Sequence, residues 1–272
     1  MISAQISLFS RILNWGFRRY VRRFVRQNFN AVRVAGQKHL SHLPPGPFVC
    51  FVNHPGWWDP MTVVLLTDQL FPGRRFAAPM DAEALKRYPT LGHLGFFPIA
   101  RDSVAGAKEF LKTGQTLLKS ADTIMWLSPT GKFNDVREAT PFMQGLGHLV
   151  ERNFAGSLFP MAIEYTFWNE RSPELLVQFG APIDRSSLPL EREQRTRMLE
   201  ESLAQTQASL AQLSIARDPS AFTTVMIGKS GIGGVYDAGR RLMAWVQGKR
   251  FQGRHSDEKL LRGTVANGEV TC

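Results

Sequence analysis

The sequence predicts an α/β fold, in which a mixed, mostly parallel sheet is covered by helices on both faces and an amphipathic helix precedes the sheet. Short apolar runs typical of buried strands alternate with helical segments from residue 32 onwards. Strands that alternate with helices form largely parallel sheets with a helical layer on each face. A chain of 272 residues, of which 43% are hydrophobic and 21% charged, is long enough to bury the core of one such domain.

Residues 1–31 are predicted to form a basic amphipathic helix that lies on a membrane surface. Apolar residues recur there in steps of three and four, with arginines on the opposite face. This apolar stripe comprises Ile2, Ile6, Phe9, Leu13, Phe17, Tyr20 and Phe24. No Asp or Glu precedes Asp59, so the helix suits an anionic membrane. An organellar transit peptide, and a helix that packs on its own domain, are the alternatives that stay open.

The main domain is predicted to span residues 32–216. Its strands are expected at 32–36, 47–52, 74–78, 94–101, 123–127, 158–165 and 175–179. Helices are expected from residue 60, over 81–88, from an N-cap at Ser103 to residue 119, near 142–149, and over 187–215. Residues 217–272 are predicted to be a Gly-rich, basic C-terminal segment with one helix over 235–248 and a flexible tail.

Charge and cysteine content restrict the partners and the compartment. The net charge of +10 and pI of about 10.1 imply a polyanionic partner, which is an anionic membrane face, a nucleic acid or an acidic substrate. Cys50 lies in a predicted buried strand and Cys272 at the terminus, so we expect no structural disulfide and a reducing compartment. No run of about 18 apolar residues occurs. We therefore expect a peripheral protein at the cytoplasmic face of a membrane.

His54 and Asp59 carry the predicted chemistry. His54 follows the apolar run at 47–52, Pro55-Gly56 indicates a turn, and Asp59 before Pro60 indicates the N-cap of a helix. The turn can bring the Asp59 carboxylate to one nitrogen of His54, which leaves the other nitrogen free to take a proton. No serine or cysteine stands beside the pair as a nucleophile. The pair therefore suits a general base that activates a hydroxyl carried by the substrate.

The pair has two other interpretations. In a purely structural one, Asp59 only caps the helix and His54 is a buried, hydrogen-bonded histidine. In the other, the pair binds a metal ion, but one His beside one Asp lacks a third ligand at a recognisable spacing. We predict no metal.

Four segments resemble the motifs of the glycerolipid acyltransferases, the 1-acylglycerol-3-phosphate acyltransferase family, in the same order. They are Asn53-His54-Pro55-Gly56-Trp57-Trp58-Asp59, Gly95-Phe96-Phe97-Pro98-Ile99-Ala100-Arg101, Ser128-Pro129-Thr130-Gly131-Lys132 and Phe159-Pro160-Met161-Ala162-Ile163. The resemblance implies acyl transfer from acyl-CoA or acyl carrier protein to a hydroxyl of a lysophospholipid or related membrane lipid. It implies no cofactor beyond the acyl donor, and it gives Arg101 the role of binding the acceptor's phosphate. A guanidinium suits that role because its planar fork meets phosphate oxygens in pairs.

The third segment departs from the family pattern Pro-Glu-Gly-Thr-Arg. Thr130 replaces the glutamate, and Lys132 or Phe133 stands where Thr-Arg is usual. This departure puts lysophosphatidate in doubt as the acceptor and admits a larger lysophospholipid, an amino-acid lipid or a glycolipid. The predicted catalytic residues are His54 and Asp59. The predicted substrate-binding residues are Asn53, Arg101, Thr130, Gly131 and Lys132, with backbone N–H groups near Gly131 as candidates to hold the oxyanion.

Two rival functions follow from the same residues. One is a catalytically silent, lipid-binding member of the same fold. The other is a basic nucleic-acid-binding protein, which the charge allows although no recognition module is present. We expect a membrane surface rather than a nucleic acid as the partner, and the sequence leaves the oligomeric state open.

Overall fold

A computed structural model of the chain describes residues 8–100, 103–151 and 154–228. Arg101, the predicted helix over 235–248 and the predicted tail lie outside the described residues. The strands are β1 Ala31–Ala35, β2 Phe48–Val52, β3 Arg75–Asp81, β4 Phe96–Ile99, β5 Thr123–Leu127, β6 Ser157–Thr166, β7 Glu174–Phe179 and β8 Thr223–Ile227. The α-helices within the described part are α1 Leu8–Asn28, α2 Asp59–Leu70, α3 Ala82–Arg87, α4 Val104–Leu117, α5 Gly145–Leu149 and α6 Arg192–Ala216.

The strands form one sheet in the order β4-β3-β5-β2-β6-β7-β1-β8. The pairs β6–β7 and β1–β8 are antiparallel, and the other five pairs are parallel. The predicted mixed, mostly parallel sheet is therefore confirmed. Because β2, β5 and β6 run in the same direction, their carboxyl ends lie side by side. The segments that follow β2 and β5 therefore meet the end of β6 there.

Helices cover both faces of the sheet, as predicted. Along β2, Phe48, Cys50 and Val52 pack in a core with α1 and α2. Val49 and Phe51, which point the other way, pack in a second core with α5 and α6. The period of two along the strand thus sends alternate residues into two separate apolar layers, and this double burial explains the continuous apolar run that predicted the strand.

Strand β8 was missed by the sequence analysis. It pairs antiparallel with β1, so the sheet continues beyond residue 216, where the main domain was predicted to end. Only Met226 of its five residues is buried, because β8 lies at the edge of the sheet. An edge strand of this kind lacks the apolar run that marks the central strands.

Helix α1 packs on the domain through part of the predicted apolar stripe. Val21 and Val25 are buried in the core, and Phe17 and Phe24 pack against it. Phe17 and Phe24 of the stripe therefore pack on the domain, whereas Tyr20 is exposed. This corrects the expectation that the stripe as a whole is available to a membrane.

The opposite face of α1 is exposed and basic. It carries Arg19, Arg22, Arg23 and Arg26 together with Ile12, Trp15 and Tyr20. The Arg19 guanidinium lies 4.9 Å above the Trp15 ring, and Arg22 pairs with Asp68 of α2. Within the described residues, no helix is long and apolar enough to cross a membrane.

Candidate active site

His54 lies two residues beyond the end of β2, in the turn that leads into α2. Its Nδ1 is 2.5 Å from Oδ2 of Asp59, the first residue of that helix. The His54 side chain is 23% exposed, whereas that of Asp59 is 4% exposed. The carboxylate thus fixes the Nδ1–H tautomer, in which Nε2 is the ring nitrogen able to accept a proton. This geometry is the one predicted for a general base.

The Asp59 carboxylate does not cap α2. The helix begins after Trp58, and no side chain caps its N-terminus. Instead, Oδ2 of Asp59 also accepts the N–H of Gly56 at 3.2 Å, and Oδ1 accepts the hydroxyl of Tyr165 at 2.6 Å. The predicted position of Asp59 as the N-cap of α2 is therefore wrong, both in our main interpretation and in the purely structural one. Three donors surround a buried carboxylate, which satisfies a charge that burial would otherwise make costly.

Tyr165 is the residue of this site that the sequence analysis missed. Its hydroxyl bonds Asp59 and also lies 3.0 Å from the hydroxyl of Thr62 in α2. Burial, and then the negative charge of Asp59, raise the pKa of the Tyr165 phenol well above its ordinary value. The phenol therefore stays protonated and donates to Asp59. The parallel pairing of β2 with β6 is the signal that brings Tyr165, near the end of β6, beside the end of β2.

Asn53 links two strands rather than facing a substrate. Its amide nitrogen donates to the carbonyl of Ile163 at 2.9 Å, and its amide oxygen accepts the N–H of Ile163 at 2.8 Å. The side chain is buried. Both ends of the amide are thus occupied by the backbone of β6, which corrects the substrate contact predicted for Asn53. Its role here is to hold the end of β2, and hence His54, against β6.

The segment after β5 reaches His54, as the third predicted motif requires. The N–H of Asn134 donates to the carbonyl of His54 at 3.0 Å, and the Phe133 ring centroid is 4.4 Å from that of His54. Lys132, which is exposed, precedes them. The turn at Gly131 has a φ of +66°, a conformation that favours glycine.

Two roles predicted within this turn are changed by its geometry. The N–H of Gly131 donates to the carbonyl of Ser128 at 3.0 Å, so this amide is already used. The oxyanion role stays a prediction for the other backbone N–H groups near Gly131. The Thr130 hydroxyl donates to the carbonyl of Lys132 at 3.1 Å. Thr130 therefore closes the turn, and the exposed Lys132 stays the predicted substrate-binding side chain of this segment.

Three of the four predicted segments thus come together. The turn with His54, the segment after β5 and the strand β6 meet at one edge of the sheet, while Arg101, which follows β4 in the sequence, lies outside the described residues. Among the residues that the structure describes, no group of three or more His, Cys, Asp or Glu side chains could hold a metal ion. The arrangement provides a proton acceptor at Nε2 of His54, an anion that stabilises its protonated form, and a phenol that holds that anion.

This geometry can be compared with that of known proteins. Residues 31–164 match the acyltransferase family model. The match covers just under half of the chain, includes His54, Asp59 and the segment after β5, and supports an acyltransferase domain. A comparison with curated protein sequences gives no match.

A solved structure supports the fold. The crystal structure of the 1-acyl-sn-glycerophosphate (LPA) acyltransferase PlsC from Thermotoga maritima is similar to this chain, with a TM-score of 0.52 and 13% sequence identity. The likeness covers 75% of this chain and 81% of that one. At this identity it shows a shared architecture, and it leaves the acceptor of this protein to be argued from the site.

Proposed function

We propose that the protein is an O-acyltransferase that moves a fatty acyl group from acyl-CoA or acyl carrier protein to a hydroxyl of a lysophospholipid or related membrane lipid. The observation that carries the proposal is the His54–Asp59 pair. Asp59 binds Nδ1 of the imidazole and leaves Nε2 to accept a proton. The match of residues 31–164 to the acyltransferase family supports the same reaction.

The reaction needs one proton acceptor and no covalent enzyme intermediate. Nε2 of His54 takes the proton of the acceptor hydroxyl as the oxygen attacks the thioester carbonyl, and a carbon–oxygen bond forms. Asp59 stabilises the imidazolium that results. The tetrahedral intermediate collapses, the carbon–sulfur bond breaks, and the thiolate takes the proton from His54. The products are the acylated lipid and free thiol, and His54 is neutral again.

Tyr165 and Gly56 act through Asp59. Their hydrogen bonds at 2.6 Å and 3.2 Å fix both carboxylate oxygens, so that Oδ2 stays directed at Nδ1 of His54. A base that is held in position before the substrate arrives needs little reorganisation during the reaction. Tyr165 is thus a positioning residue in this proposal.

The exposed face of α1 supports a peripheral position at an anionic membrane. Trp15 and Ile12 are suited to the headgroup boundary, and arginines near an anionic surface contribute roughly 1 kcal/mol each. Trp15, Tyr20 and the four arginines of this face are the proposed membrane contact, in place of the apolar stripe. In flotation with anionic vesicles, Arg19→Gln and Arg23→Gln should weaken binding, and added salt should weaken it further. Arg197→Gln is the matched control, because α6 covers the opposite face of the sheet.

The activity is tested with labelled acyl-CoA and labelled acyl carrier protein against a panel of lysolipids that differ in headgroup. We expect labelled diacyl product from at least one acceptor and no product with heat-denatured protein. A protein that floats with vesicles but transfers no label to any acceptor would be the silent, lipid-binding alternative. A protein that binds duplex DNA and ignores anionic vesicles at low salt would be the nucleic-acid-binding alternative.

A further inference from the structure

Phe133 lies against the catalytic histidine and is open to solvent. Its ring centroid is 4.4 Å from that of His54, with the two planes tilted by 54°, and the residue is 57% exposed. Trp57, three residues after His54, and Met143, at the other end of the same segment as Phe133, are also large, apolar and exposed. Exposed apolar side chains grouped around a reactive residue typically mark a binding surface. Phe133 therefore provides an exposed apolar surface beside His54.

The position of Phe133 is fixed by its neighbours in the chain. The next residue, Asn134, is bonded through its N–H to the carbonyl of His54. The N–H of Met143 donates to the carbonyl of Pro129 at 2.8 Å, which closes the segment on itself. At the turn, a Cβ on Gly131 would lie 2.5 Å from the sulfur of Met143, so these two residues are in close contact. The segment holds the Phe133 ring beside His54 by backbone hydrogen bonds.

The charges of the segment that carries Phe133 balance one another, and Lys132 is the cation next to Phe133. Residues 128–144 contain two cations, Lys132 and Arg137, and two anions, Asp135 and Glu138, so their formal charge sums to zero. Arg137 is bound by both oxygens of Asp135 at 2.7 Å, and this hydrogen bonding lowers the pKa of the Asp135 carboxyl below its ordinary value. The guanidinium fork that could bind a phosphate is thus occupied within the segment.

We propose that Phe133 makes the enzyme select acceptors whose reacting hydroxyl is flanked by uncharged, apolar atoms, and discriminate against those with a phosphate beside that hydroxyl. The inference rests on the proposed acyl transfer and narrows its acceptor from the lysophospholipids to the related membrane lipids that carry no phosphate beside the reacting hydroxyl. A hydroxyl within hydrogen-bond distance of Nε2 of His54 places its neighbouring atoms against the Phe133 ring. Carbon atoms there bury apolar surface, whereas a phosphate would lose water without gaining a donor from the ring.

The test uses two acceptors that differ only in the phosphate. They are 1-oleoylglycerol and 1-oleoylglycerol 3-phosphate, each presented in mixed micelles of a neutral detergent with the same labelled acyl donor. We expect wild-type kcat/KM to be at least about tenfold higher for the uncharged acceptor, about 1.4 kcal/mol in transition-state free energy. Phe133→Arg should shift this ratio at least about tenfold towards the phosphorylated acceptor, because a guanidinium binds phosphate oxygens in pairs. Phe133→Leu, which keeps an apolar side chain, should retain the preference.

Leu190→Arg is the matched control. Leu190 is 73% exposed and lies in the segment before α6, which is bonded to Phe154 ahead of β6 and so lies at the opposite end of that strand from Tyr165. The control introduces the same charge at a similarly exposed apolar residue, and its ratio should equal that of the wild type. A ratio that moves equally in Phe133→Arg and Leu190→Arg would overturn the proposal, since a general charge effect would explain it. Thermal melts of all variants establish that each is folded.

The remaining outcomes are distinct. A wild-type preference for the phosphorylated acceptor would overturn the proposal while leaving acyl transfer established. If Arg101→Gln then abolished that preference, Arg101 would be the residue that binds the phosphate. The proposal would also be overturned if folded Phe133→Arg transferred the acyl group with the wild-type ratio of kcat/KM for the two acceptors. If neither acceptor nor any lysolipid of the panel is acylated, the proposed function itself fails, and the inference about its acceptor fails with it.

Discussion

Replacing Tyr165 with phenylalanine isolates the hydroxyl that holds the Asp59 carboxylate. The change removes the 2.6 Å hydrogen bond to Asp59 and the 3.0 Å contact with Thr62. The ring remains, and with it the packing of this residue against Phe29 and Trp58. Because the proposed role of the hydroxyl is to orient the carboxylate rather than to bind substrate, we expect a lower kcat and an unchanged KM.

The size of the expected fall in kcat follows from the charge of the Asp59 carboxylate, which accepts this hydrogen bond. A hydrogen bond to a charged group contributes about 1.5–3 kcal/mol, and about 1.4 kcal/mol corresponds to a factor of ten in rate. If that energy serves to hold the carboxylate towards His54, kcat falls by about 10- to 150-fold. The Gly56 N–H still holds the other carboxylate oxygen, which favours the lower half of this range.

The assay is steady-state acyl transfer, normalised to the folded fraction measured by circular dichroism. Tyr88→Phe is the matched control, because Tyr88 is exposed at the end of α3 and should tolerate the same change. A purely structural role for Tyr165 would lower the melting temperature and leave kcat per folded molecule within about twofold of the wild type. That result would refute the positioning role.

The same variant has a predicted effect on alkaline stability. The raised pKa of Tyr165 means that its stabilising effect is complete below the pKa of an unfolded tyrosine, about 10. The effect is then lost as the pH rises through the higher native value. Urea unfolding at increasing pH should show a loss of stability in the wild type that is smaller in Tyr165→Phe. Identical losses in both proteins would contradict the assigned pKa shift.

Three further outcomes test other parts of the description. Asp59→Asn should lower kcat by roughly the 10²- to 10⁴-fold attributed to general base catalysis, and activity within tenfold of wild type would contradict the role of the carboxylate. Burial raises the pKa of the Cys50 thiol, so iodoacetamide should not alkylate Cys50 until the protein is unfolded by urea; modification of the native protein would show that β2 is accessible. Glu174→Gln should reduce the free energy of unfolding by about 1.5–3 kcal/mol, because it weakens a charge-assisted hydrogen bond to the buried Arg33, and a change below about 0.5 kcal/mol would show that the pair is not buried as described.

The central sheet was predictable because its strands are buried on both faces. The continuous apolar runs at β2, β5 and β6 result from that double burial. Turn and capping residues indicate where the helices begin and end. Ser103, for example, accepts the N–H of Gly106 at the start of α4. Strand β8 escaped prediction because it lies at the edge of the sheet. Helix α1 has an apolar face whichever surface it meets, so the sequence pattern could not distinguish the sheet from a membrane.

The site was predictable only as far as local sequence determines it. His54 and Asp59 are separated by one turn, and a turn can be recognised from Pro55-Gly56. Tyr165 comes beside Asp59 only through the parallel pairing of β2 with β6, which no local pattern encodes. The role of Asn53 depends on the same pairing, since its partner is the backbone of Ile163.

The most direct test of the account is the rate of acyl transfer by His54→Ala. His54 is the only group in the proposed mechanism that takes the hydroxyl proton, and general base catalysis is typically worth 10²- to 10⁴-fold. The variant should therefore lose at least about a hundredfold in kcat while its circular dichroism spectrum and melting temperature stay close to those of the wild type. A folded His54→Ala protein that keeps more than about a tenth of the wild-type rate would show that His54 is not the base.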